Sequence, residues 1–159
     1  MKLTPQDITE HLDKFCSGDD IAHWVLAMRQ NEVIGRVAVF KREINMNKKK
    51  VVLGGIGKLK VRDDWRRQGV ATKLIDQAMP LFEKIGCDLV YLCTNIQNPI
   101  MTKFYEKYGF RYFEPGCEYC GKSGKKYHET GAMFAAVNTS LYEWLMNHTK
   151  PISIGCGNW

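Results

Sequence analysis

The segment Trp65-Arg66-Arg67-Gln68-Gly69-Val70-Ala71 has the residue types needed to hold an anion. It follows an extended apolar run and opens a helical one. Glycine at such a junction lets the backbone turn successive N–H groups toward one ligand. The helix start adds partial positive charge and the arginines add full charges, so a phosphate or pyrophosphate suits this loop. Two rival phosphate patterns do not fit. Gly57-Lys58 is followed by Leu59 rather than Ser or Thr, and Val52 stands where the ATP-binding pattern needs glycine. The three-glycine dinucleotide fingerprint is also absent from this turn.

A second chemistry worth testing is metal binding at Cys117-Glu118-Tyr119-Cys120, with His128 or Cys156 as further ligands. No second Cys-x-x-Cys pair is present, so the expectation is no metal site. The six cysteines are irregularly spaced and no export signal precedes them, so they read as reduced thiols.

The elements that position the loop follow from periodicity and punctuation. Thr4-Pro5 starts a short helix through Lys14, and Ser17-Gly18-Asp19-Asp20 breaks it. His23 to Met28 and the β-branched run Val33 to Phe40 read as strands joined by a turn at Gln30-Asn31-Glu32. Lys48-Lys49-Lys50 reads as an exposed turn before a third strand, Lys50 to Val61. Glycine at Gly54, Gly55 and Gly57 in that strand marks a bulge or a close approach by ligand or backbone. Val70 to Lys84 is an amphipathic helix with Val70, Leu74, Ala78 and Phe82 on one face, which Pro80 is expected to kink or break. Leu89 to Cys93 is a buried strand. Asn98-Pro99 caps a helix through Tyr108, and Phe110 to Phe113 starts another strand. Glu114 to Thr130 reads as a long loop, Ala132 to Ala136 as a last strand, and Asn147 to Trp159 as an irregular tail. Leu141, Trp144 and Leu145 leave two options open, self-association as a homodimer or packing on their own domain.

Composition narrows the class. With 159 residues and 45% apolar content, the chain suits one globular domain. It lacks a run of about 18 apolar residues and an apolar secretory core at Met1 to Asp7, so a cytoplasmic protein without a membrane span is expected. A net charge of +6 fits either a solvated basic surface or a polyanionic partner. No aromatic residues are interleaved with the lysine run, so nucleic acid is the weaker partner and a phosphorylated small molecule the stronger.

The spacing Arg66-x-x-Gly69-x-Ala71 resembles the acyl-CoA pyrophosphate signature of the GCN5-related N-acetyltransferase (GNAT) superfamily. Downstream, Asn98-x5-Phe104-Tyr105-Glu106-Lys107-x-Gly109-Phe110 resembles the later CoA-contacting segment of the same family. The resemblance covers Val33 to Phe113. It implies an α/β fold with a mixed, largely antiparallel sheet, splayed at the cofactor strand and flanked by helices. It also implies one domain over 1–159: a shortened helical part at 1–20, an acetyl-CoA-binding core at 33–113, and a substrate side at 114–159. The implied chemistry is direct transfer of acetyl from acetyl-CoA to the primary amine of a small molecule. By the same resemblance, Leu59, Lys60 and Val61 pair with the pantetheine arm, and one N–H there polarises the thioester. Arg66, Arg67, Gln68, Gly69, Val70, Ala71 and Thr72 surround the pyrophosphate. Asn98 contacts the cofactor arm, and Tyr105 is the general acid for the departing thiolate.

A thinner resemblance links Gly18 to His23, Phe40-Lys41-Arg42, Trp65 to Gly69, Glu129-Thr130-Gly131 and Gly157-Asn158-Trp159 to the aminoglycoside 2′-N-acetyltransferases. It makes Asp19, Asp20, Glu129 and the carboxylate of Trp159 candidate ligands for an amino sugar. That group has a glutamate near the position of Gly57, so the base here is open among Glu129, His128, the terminal carboxylate and ordered water. Two alternatives stand beside the small-molecule reading. One is a non-catalytic acyl-CoA-binding sensor; the other is an acetyltransferase acting on a polyamine, amino acid or protein amine.

Overall fold

The structure is a computed structural model that describes residues 20–159. The expected helix at Thr4 to Lys14, and Asp19, lie outside the described residues.

Three long strands form one half of the main sheet. β1 (Ile21–Arg29) and β2 (Glu32–Met46) are antiparallel and meet at Arg29 opposite Glu32. Gln30 and Asn31 both have positive φ, 48° and 63°, which a two-residue hairpin turn demands. The same device recurs at Asn47 and Lys48, φ 52° and 60°, before β3 (Lys49–Val61). The lysine run therefore divides: Lys48 sits in the turn, while Lys49 and Lys50 begin β3 and are exposed. β2 also runs six residues past the expected end at Phe40. Its second half hides a strand because Lys41, Glu43 and Asn45 face water while Arg42, Ile44 and Met46 are buried, a strict alternation.

β3 runs parallel to β4 (Leu89–Cys93), and α1 (Val70–Lys84) makes the crossover between them. α1 buries Val70, Leu74, Ile75, Ala78 and Phe82, as its spacing predicts. It passes through Pro80 without the expected break. Pro80 is exposed, so water can take the carbonyl its ring leaves unpaired. α2 (Pro99–Glu106) follows β4, and β5 (Arg111–Tyr112) and β8 (Ala132–Ala136) complete the sheet in the order β1-β2-β3-β4-β8-β5. All its pairings are antiparallel except β3 with β4.

Two expectations fail beyond residue 113. The segment read as a loop contains β6 (Cys117–Cys120) and β7 (Lys126–Glu129), and the tail read as irregular contains β9 (Ile152–Cys156). They form a second sheet, ordered β7-β6-β9. Each strand is only four or five residues long, and its signal is an alternation of buried Cys117 and Tyr119, or Ile152 and Ile154, with exposed neighbours. Gly155 and Pro151 masked that alternation in β9. Between β8 and β9 lies α3 (Thr139–Met146), capped by Asn138, whose Oδ1 accepts from Leu141 N at 3.1 Å. Leu145 is fully buried, with Leu141 and Trp144 packed beside it in the core. These apolar residues pack on their own domain.

Candidate functional site

The sheet opens where β3 and β4 part. They pair only from Leu53–Leu89 to Gly55–Tyr91, so Ile56 to Val61 have β2 alone as a strand partner. Within that stretch β3 bulges. Arg36 pairs Lys60 and Ala38 pairs Gly57, which leaves Val37 opposite two residues, and Lys58 adopts φ 55°. A bulge twists a strand and re-aims its polar groups, which is why bulges gather beside active sites. Leu59, Lys60 and Val61 therefore line an open strand edge.

The loop expected to hold an anion lies beyond the far end of β3. Arg67 and Gly69 both have left-handed backbone, φ 60° and 78°. The first helical hydrogen bond shown after the loop is Lys73 N to Gly69 O, 3.1 Å, so the N–H groups of Val70, Ala71 and Thr72 precede the helical ladder. Arg66 is held by Asp63 at 2.8 Å, whereas Arg67 has no ion pair among the described residues. Gln68 donates to the Asp64 carbonyl at 3.0 Å, which ties the loop to the short helical turn before it. A Cβ at Gly69 meets nothing within 4 Å, so glycine is required by its φ alone. Gly69→Ala is expected to cost about 1–2 kcal/mol and lower Tm by roughly 2–8 °C. Thermal unfolding checks this, and an unchanged Tm would contradict it.

α2 presents the other predicted contacts. Asn98 caps it, with Oδ1 accepting from Ile100 N at 3.1 Å. Tyr105 is 7% exposed and makes edge contacts with Phe104 and Phe110. Its hydroxyl has no hydrogen-bond partner among the described residues, and burial raises its pKa, which keeps the phenol protonated at neutral pH. Beyond β4, Cys93 to Gln97 and His128 to Gly131 line a cleft of about 600 Å³. Glycine is obligatory at Gly131: a Cβ there lies 2.1 Å from the Thr94 carbonyl oxygen.

The successive glycines Gly54 and Gly55 face opposite sides of β3. A Cβ at Gly54 collides with Phe82 of α1, while one at Gly55 lies 2.0 Å from the indole of Trp159. The ring of Trp159 fills the slot left by Gly55, stacked on Phe40 at 5.1 Å and tilted against Tyr91 at 6.1 Å. The Arg42 guanidinium lies 4.4 Å from the indole centroid. Arg42 is the one buried charged side chain among the described residues. Its Nη2 and Nε donate to Asp20 Oδ2 at 2.6 and 3.0 Å, and Nη1 donates to the carbonyls of Ile154 and Gly157 at 2.7 and 2.9 Å. Asp20 also accepts from Trp159 Nε1 at 3.2 Å, so this predicted substrate ligand is spent on holding the tail.

Glu129 ends β7 at the cleft. Its Oε2 accepts from the Tyr91 hydroxyl at 3.0 Å and its Oε1 from Asn158 Nδ2 at 2.9 Å. Burial, and then the charge of Glu129, push the Cys93 thiol up to about 12 and raise the Tyr91 phenol as well, so both stay protonated. His128 lines the same cleft, with Nε2 at 3.1 Å from the Pro115 carbonyl.

The model of the acetyltransferase (GNAT) family matches residues 3–110. The chain belongs to this family. Among curated relatives, it is 32% identical over 114 residues to N-alpha-acetyltransferase 30 of Xenopus laevis, covering 69% of this chain and 41% of that protein. It is also 32% identical to N-alpha-acetyltransferase 30 of Homo sapiens, covering 69% of this chain and 31% of that protein. The chain thus spans less than half the length of these vertebrate relatives. In fold it is similar to the GNAT family N-acetyltransferase YhbS of Escherichia coli, solved in complex with CoA. The TM-score is 0.58 and the identity 16%, over 92% of this chain and 70% of that one. The GNAT domain is an acetyl-CoA-dependent N-acetyltransferase fold, and the residues present fit that cosubstrate: an open strand edge, a left-handed glycine loop and a helix start.

Leu59, Val61 and Tyr105 pack in one core cluster with α1, whose start carries the Arg66 to Thr72 loop, and Asn98 caps α2. Trp159 and Tyr91, which holds Glu129, belong to a second cluster on the opposite side. Arg42 and Phe40 contact Trp159, and Asn158 contacts Glu129. Sequence reasoning gave Tyr91 and these three no role of their own; the signal for Arg42 was a lone arginine at a buried strand position. Among the described residues no group of three His, Cys, Asp or Glu side chains can hold a metal ion, and no helix is long and apolar enough to cross a membrane.

Proposed function

We propose that this chain acetylates the α-amine at the N-terminus of a peptide or protein by direct transfer from acetyl-CoA. The observation that carries the choice of acceptor is the state of the carboxylates. A polycationic amino sugar needs several uncommitted acids, yet Asp20 is neutralised by Arg42 and Glu129 is the one acidic side chain lining the cleft. One carboxylate suits one ammonium. The curated relatives, named as N-alpha-acetyltransferases, agree with that choice.

Acetyl-CoA supplies the acetyl group as an activated thioester. Arg67 and the N–H groups of Gly69 to Thr72 hold its pyrophosphate, assisted by Gln68, while Arg66 stays on Asp63. Leu59, Lys60 and Val61 pair with the pantetheine arm, with the Asn98 amide nitrogen as a further donor. An N–H on the bulged edge steadies the oxyanion. The acceptor enters on the opposite face of β3, where Glu129 takes the ammonium proton and Phe40 and Trp159 form the wall. Tyr105 returns a proton to the thiolate.

Thiol release from acetyl-CoA, followed across a panel of peptides with free N-termini, amino sugars, polyamines and amino acids, tests the reading. Selective release with peptides supports it. Release only with amino sugars or polyamines reinstates a small-molecule acceptor, and cofactor binding without release from any amine makes the chain a sensor. Tyr105→Phe is expected to lower kcat by about a hundredfold with KM little changed. Unchanged turnover on the best acceptor removes Tyr105 from the mechanism.

A further inference from the structure

We propose that Cys120 and Cys156 form a reversible disulfide that staples the end of β9, and the site residues just after it, to β6. The two residues are register partners on adjacent parallel strands. Neighbouring strands lie about 4.8 Å apart, inside the Cα separation a disulfide accepts, about 4.4–6.8 Å. β9 bulges between Ser153 and Cys156, where Gly155 has φ 90°. Past that bulge Cys156 is exposed, and its partner Cys120 is half-buried, on the alternation of the exposed Glu118 rather than of the buried Cys117 and Tyr119. The strands stay close at this point, because Gly157 N donates to the Cys120 carbonyl at 2.6 Å. Cys117 points into the core, and Cys87 is buried with its thiol pushed up to about 11. Cys93 is half-buried but sits in β4 of the other sheet, so among the described residues Cys120 and Cys156 are the cysteines paired on adjacent strands.

The position gives the bond its consequence. Asn158 and Trp159 follow Cys156 after a single glycine, Gly157, and they hold Glu129 and cover Gly55. A bond at Cys156 restrains that wall. The oxidant is a peroxide. One thiolate attacks it, becoming a sulfenic acid as one water leaves; the second thiol displaces another water as the S–S bond forms. Two thiols lose two electrons and two protons, and one peroxide becomes two waters. A dithiol reductant reverses the bond by exchange.

The test treats the full chain with hydrogen peroxide, alkylates remaining thiols and maps cross-linked peptides by mass spectrometry. Thermal unfolding and amide exchange of the segment 155–159 are then measured before and after reduction. The expected result is a Cys120–Cys156 cross-link, a Tm rise of about 5 °C or more, and exchange slowed about threefold or more. Cys120→Ser and Cys156→Ser, both at sites with solvent access, each abolish all three changes. Absence of that link, pairing with Cys16 or another cysteine instead, or a link with unchanged Tm and exchange overturns the proposal. None of these readouts requires acetyl transfer, so the result is independent of the acceptor's identity.

Discussion

Replacing Glu129 with Gln is expected to slow thiol release from acetyl-CoA by about a hundredfold or more, while KM for acetyl-CoA changes by less than about twofold. The substitution preserves shape. Glutamine keeps one acceptor oxygen for Asn158, and the Tyr91 hydroxyl can rotate to accept from the new amide. What it removes is the group that can take a proton from the incoming ammonium. The loop proposed to hold acetyl-CoA is untouched, because it leads into α1 on one side of β3 and Glu129 lies on the other. Steady-state kinetics on the best peptide acceptor decide the matter. A variant within about threefold of the parent kcat shows that water or another group is the base.

Arg42→Met is expected to be the most destabilising single change around the site. It strands the Asp20 carboxylate, takes the donor from two carbonyls and removes the cation over Trp159. Breaking a buried ion pair costs about 3–5 kcal/mol. The Asp20 side chain is 26% exposed, so water recovers part of the loss and about 2–3 kcal/mol is expected. In a chain of this size that lowers Tm by roughly 4–12 °C. KM for the acceptor should rise as the Trp159 wall loosens, with KM for acetyl-CoA unchanged. Lys41→Met is the control: Lys41 neighbours Arg42 but only reaches the Ile85 carbonyl at the surface. Equal stability losses in the two variants would show that the Arg42 contacts add nothing.

The half of the site proposed to hold acetyl-CoA is legible in the sequence because it is local. A loop glycine that must be left-handed, a helix start and a proline-led cap each depend on neighbours within a few residues. Gly69, the face of α1 and the cap at Asn98 are accordingly where periodicity and turn chemistry put them. The acceptor half is not local. Asp20 and Trp159 are 139 positions apart in the chain and Glu129 is held by residues 38 positions before it and 29 after. No spacing rule links such residues. The short strands β6, β7 and β9 carry too few alternations to be told from loop, yet they bring Glu129 and the tail together.

The three β3 glycines show the division most clearly. By itself the sequence said that these glycines mark a bulge or a close approach by ligand or backbone. Only the tertiary structure decided what: Phe82 at Gly54, and the indole of Trp159 at Gly55. It also decided that Asp20, legible as a substrate ligand, is neutralised by Arg42. An acid's partner depends on what the fold brings within hydrogen-bond reach, and here that partner is a buried guanidinium 22 residues away.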